Sequence, residues 1–146
     1  MIISKKIFVD ETAWYAIVDD KDSNHNQITE KLNSALKEGT KFFTSNIAIG
    51  NTISRIKLDL NTELSFRVNE ILEDSHLGNY LRIMWIGRRT QKEAIRLMRK
   101  HAQISLQLYD FAHVVLMERR GINTILSQHT EFKKMGYLVL PETSDQ

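Results

Sequence analysis

Five short apolar runs punctuate the chain, at residues 6–10, 41–45, 81–86, 124–127 and 137–140. They are rich in β-branched, aromatic or long aliphatic side chains, the composition of buried strands. The stretches between them carry helical spacing instead. Ile28, Leu32, Ala35 and Leu36 fall at i, i+4, i+7 and i+8 behind a polar start at Ser23 and Asn24, the pattern of an amphipathic helix. Ala94, Ile95, Leu97 and Met98 line one face of another, with Arg96, Arg99 and Lys100 on the other face. Ala112, Val114, Val115, Leu116 and Met117 form a strongly apolar helix, with Gly121 as its C-cap. Residues 47–73 read as two helices broken near Asn61 and Thr62, Thr62 capping the second. Trp85, inside the third run, is expected in the core, and Trp14 and Tyr15 at packing positions.

Short strands alternating with helices predict an α/β fold. The expected form is a three-layer sandwich with a mostly parallel five-stranded sheet and helices on both faces. No repeat, low-complexity segment or linker interrupts the pattern, so residues 1–141 read as one domain and 142–146 as a short disordered tail.

Composition narrows the classes. An apolar fraction of 42% and a charged fraction of 26% are those of an ordinary soluble globular protein. No apolar run nears the roughly 20 residues that cross a bilayer, and the start of the chain has no signal-peptide layout, so no membrane association and a cytoplasmic location are expected. The absence of cysteine excludes disulfides, zinc–thiolate sites and cysteine nucleophiles. A net charge of +2 is compatible with nucleic acid without pointing to it. The six glycines are dispersed, with no phosphate-binding loop among them.

Candidate chemistry concentrates at two aspartates. Asp10 ends the first apolar run, and a helix pattern follows at once. A strand that ends this way delivers an acid to the sheet's carboxyl edge, where parallel α/β folds bind ligands, although Asp is also a common N-cap. Asp110 opens the apolar helix that leads into the fourth strand, so it faces the same edge. Two converging carboxylates repel unless a proton or a hard cation lies between them. Glu11 directly follows Asp10 and is expected to point away from it. Arg88 and Arg89, just beyond the third strand, are placed to reach a phosphate backbone.

These segments together resemble the PIN-domain family of metal-dependent nucleases, especially the VapC-type toxins. The resemblance rests on Phe8-Val9-Asp10, Thr12-Ala13-Trp14-Tyr15-Ala16, Asp19-Asp20 and Asn24-His25. It continues through Phe43-Thr44-Ser45-Asn46, Asp110 with its apolar helix, Arg119-Arg120-Gly121-Ile122, Leu126-Ser127, Phe132 and Leu138-Val139-Leu140-Pro141. It implies an endoribonuclease that cleaves single-stranded RNA with magnesium or manganese. It also implies an antitoxin protein as partner and a homodimer formed through residues 47–72.

The resemblance places Asp10 and Asp110 as catalytic, metal-binding acids and Thr12 as a supporting hydroxyl. Asn51 stands where the family carries a glutamate, and His129 where a fourth acid often lies. Asn contributes no charge, and imidazole suits manganese better than magnesium. One ion is therefore expected rather than two, with weakened activity. The alternative is a degenerate PIN-like module that binds RNA or a protein partner without cutting. A receiver-like or flavodoxin-like domain fits less well, since the third strand leads to Gly87-Arg88-Arg89 rather than to an acid.

Overall fold

A computed structural model describes residues 5–142. The expected tail at 142–146 thus lies, apart from Glu142, outside the described residues, as do residues 1–4 at the start of the chain. Five strands, β1 (Lys6–Val9), β2 (Lys41–Ser45), β3 (Leu81–Met84), β4 (Thr124–Leu126) and β5 (Leu138–Leu140), form one sheet in the order β3-β2-β1-β4-β5. Every pairing is parallel, with Phe8 opposite Phe43 and Ile125 in the centre. Helices α1 (Glu11–Val18), α2 (His25–Lys37), α3 (Asn46–Asp59), α4 (Thr62–Leu77), α5 (Arg88–Lys100) and α6 (Leu108–Arg120) connect the strands, and a 3-10 turn (Thr130–Met135) leads into β5.

The alternation of side chains along each strand sorts the core into two layers. Phe8, Phe43, Met84 and Ile125 face the layer that holds Ala94 of α5 and Phe111, Ala112 and Val114 of α6. Ile7, Val9, Phe42, Leu81 and Leu126 face the other, with Ala13 and Ala16 of α1, Ile28 of α2 and Leu72 of α4. Strands buried on both faces read as continuous apolar runs, which is why the five runs stand out in the sequence. The three-layer parallel α/β sandwich is therefore the observed architecture.

Local departures have local causes. Thr62 is not the cap of α4: Asn61 is, its side-chain oxygen accepting from the Leu64 amide at 2.7 Å. Asn61 has extended backbone, whereas Thr62 is already helical. Trp85 is not core either. The edge strand β3 ends at Met84, and Trp85 projects into solvent with 73% of its surface exposed. Tyr15 is buried as expected, and the Arg55 guanidinium lies 3.7 Å from its ring centroid. Among the described residues no helix is long and apolar enough to cross a membrane.

Candidate metal centre

The carboxyl edge of the central strands carries the acids. β1 ends at Val9, and Asp10 follows as the N-cap of α1, its Oδ1 accepting from the Ala13 amide at 3.2 Å. The capping reading of Asp10 thus holds, and the cap leaves its carboxylate at the carboxyl edge of the sheet. Oδ1 also accepts from the Thr12 hydroxyl at 2.6 Å, and Oδ2 from the Ser127 hydroxyl at 2.5 Å. Asp110 is the third residue of α6 and caps its own helix, with Oδ2 accepting from the Gln107 amide at 2.9 Å. His129 follows β4 across a short loop. One ligand atom each from Asp10, Asp110 and His129 lies within 4.8 Å of the others.

The loop that carries His129 is fixed to the first helix. The Gln128 amide donates to Thr12 Oγ1 at 2.8 Å, and the Gln128 side chain donates to the Thr12 carbonyl at 3.0 Å. The His129 amide donates to Ser127 Oγ at 2.9 Å. Asn24 of the loop before α2 completes the clamp by donating to Gln128 Oε1 at 2.6 Å. Thr12 therefore supports the site twice, through the Asp10 carboxylate and through the His129 loop.

The electrostatics are those of a site short of positive charge. Asp10 and Asp110 are buried, and desolvation raises both above the ordinary carboxylate range. Hydrogen bonds from Ser127 and Thr12 pull Asp10 back, one from the Gln107 amide pulls Asp110 back, and the His129 charge favours both anions. Glu11 lies outside the close group of Asp10, Asp110 and His129. At the first position of α1 the chain has left strand geometry, so strand alternation sets no direction for its side chain. Burial and then the charges of Asp10 and Asp110 push its carboxyl up to about 8. Its Oε1 is buried without a hydrogen-bond partner among the described residues. An orphaned carboxylate oxygen beside an Asp–Asp–His donor set fits a divalent cation that prefers oxygen and accepts nitrogen.

The remaining candidates separate. Asn51 lies in the second turn of α3, exposed. His113 of α6 is fully buried against Phe8, with ring centroids 4.8 Å apart, and its Nε2 lies 2.8 Å from Ser45 Oγ. Burial lowers it to about 3, so it is neutral. Ser127 and Gln128 are the residues that sequence reading missed. The only signal was Ser127's position at a strand end beside Asp10's strand.

A parallel sheet with capping acids gathered at its carboxyl edge defines a class: α/β proteins whose chemistry sits where the strands end. The PIN-domain family model matches residues 7–137. The chain therefore belongs to the PIN-domain family. Two solved structures share the fold. The VapC20 toxin of Mycobacterium tuberculosis, a sarcin–ricin loop cleaving toxin, is 18% identical, with a TM-score of 0.79 over 90% of this chain and 96% of that one. FitAcB of Neisseria gonorrhoeae is 16% identical, with a TM-score of 0.65 over 91% of this chain and 95% of that one. No curated protein matches the sequence.

Proposed function

We propose that the protein is a divalent-metal-dependent endoribonuclease of the VapC-toxin type that cleaves single-stranded RNA. The convergence of Asp10, Asp110 and His129 within 4.8 Å carries this reading. Asp10 and Asp110 bind one ion as anions, and His129 adds a nitrogen that tilts the preference toward manganese. Thr12 and Ser127 fix the Asp10 carboxylate by a hydrogen bond to each of its oxygens, and so fixed it would hold the ion. Such an ion, when bound, polarises the scissile phosphodiester and activates water. Arg88 and Arg89 open α5 beyond β3, where their positive charges are available to the phosphate backbone.

Titration with manganese, followed by calorimetry, tests the centre. Saturable binding that disappears in Asp10→Ala is expected; no binding, or binding indifferent to that change, removes the metal from the reading. Cleavage of single-stranded RNA should then vanish in Asp110→Ala, and activity that survives there belongs to a contaminant. A second reading, a PIN module that binds RNA or protein without cutting, draws on Asn51, which brings no charge. Metal binding with no cleavage in the wild-type protein would favour it.

The proposed partners follow the same reading. An antitoxin segment covers the acidic edge, and a second copy packs on α3 and α4, which expose Leu58, Phe66, Ile71 and Leu77. Sedimentation as a monomer at micromolar concentration would remove the homodimer.

A further inference from the structure

Among the described residues, the Glu11 carboxyl has a hydrogen bond to its own backbone amide and leaves its other oxygen unpaired. It sits at the first position of α1, directly after the cap Asp10. Its Oε1 is out of reach of solvent and has no hydrogen-bond partner among the described residues. A buried, unpartnered carboxylate oxygen is costly. The charges that act on it, Asp10 and Asp110, are both negative and add to that cost. A cation among the three acids would relieve all of them together. The metal centre also lacks a charge, because Asn51 is neutral where the resemblance expects a glutamate.

Resting on the metal-centre reading above, we infer that Glu11 supplies the third negative charge of the centre in place of the acid missing at Asn51. The close ligand group consists of Asp10, Asp110 and His129. Glu11 directly follows Asp10 in the chain but lies outside that group, so it acts on the ion through the water molecules that a magnesium-like ion retains. The third charge thus comes from the first turn of α1 instead of from α3. Glu11 is in this sense a positioning residue, holding the ion and its water without joining the direct ligands.

Manganese titrations of the full chain and of Asp10→Asn, Glu11→Gln and Glu11→Asp, read by calorimetry and electron paramagnetic resonance, test the inference. Asp10→Asn should abolish binding. Glu11→Gln should weaken it about tenfold or more, the range typical of groups that support metal ligands. Glu11→Asp, which keeps the charge, should fall between the wild type and Glu11→Gln. Without metal, Glu11→Gln should melt at or above the wild-type temperature, since a neutral amide is no costlier to bury there than a carboxyl whose ionisation is pushed up to about 8, while its stabilisation by manganese shrinks. Unchanged affinity in Glu11→Gln, with binding lost in Asp10→Asn, would overturn the role of Glu11 and leave the metal centre standing. A lower metal-free melting temperature in Glu11→Gln would also overturn it, by marking a packing contact. A wild-type protein that binds no manganese removes the metal centre and this inference with it.

Discussion

Both oxygens of Asp10 are engaged by hydroxyls, Thr12 on one and Ser127 on the other. Those bonds favour the anion against the desolvation that opposes it. Ser127→Ala removes one donor and frees the carboxylate to rotate, so manganese affinity should fall about 10–100-fold; an unchanged dissociation constant would show that Thr12 and Ala13 suffice. His129→Asn exchanges a nitrogen ligand for an oxygen. The ratio of magnesium to manganese affinity should then rise, and competition titration reads it directly. At this scale the sequence is informative where a residue's type and its place in the strand–helix pattern agree. Asp10, Asp110 and His129 each stand at such a junction. Ser127 does not, because a hydroxyl at a strand end is common, and its hydrogen bond joins residues 117 positions apart. For Glu11 strand alternation gives no direction, because the residue has already entered the helix.

Among elements, the two-layer pattern is legible because it depends on many side chains at once, while the ends depend on single residues. The cap of α4 shows this. Asn61→Ala should destabilise the protein by about 1 kcal/mol, and Thr62→Ala by much less, since Asn61 alone accepts from the Leu64 amide. Denaturant midpoints of the two variants separate these cases; equal losses would mean that the cap is not Asn61. Trp85 falls outside the core because β3 pairs only with β2 and ends at Met84, short of the end of its apolar run. α5 begins with Arg88 and Arg89 and has no acid in its first turn. Positive charge there opposes the helix dipole, and Arg89 is offset by an exposed pair with Glu93 at 3.8 Å. Reversing both charges, Arg88→Glu with Arg89→Glu, should leave stability equal or slightly higher. It should weaken binding of single-stranded RNA and flatten its salt dependence by about 0.7 for each phosphate no longer neutralised. An unaltered salt slope would take these arginines out of the RNA path.

Across the whole molecule, one buried group couples packing to pH. His113 lies beneath the sheet against Phe8 and Ser45, neutral in the fold, with its pKa lowered to about 3 mainly by burial and further by the charge of His129. In the unfolded chain an ordinary histidine takes up its proton near 6.5. Between those values the unfolded state binds the extra proton, so stability is fully present above about 6.5 and is lost as pH falls toward 3. The slope attributable to this one group is at most about 1.4 kcal/mol per pH unit. His113→Gln removes the titration and keeps a polar side chain within reach of Ser45. The variant should be less stable than the wild type at about pH 7.5, because its shape fits the pocket less well. Its loss of stability between about pH 6.5 and 5 should nevertheless be smaller. Denaturant unfolding of metal-free protein at both pH values measures the difference in slope. Parallel losses in wild type and variant would place the acid sensitivity elsewhere and show that His113 takes up its proton in the fold as readily as in the unfolded chain.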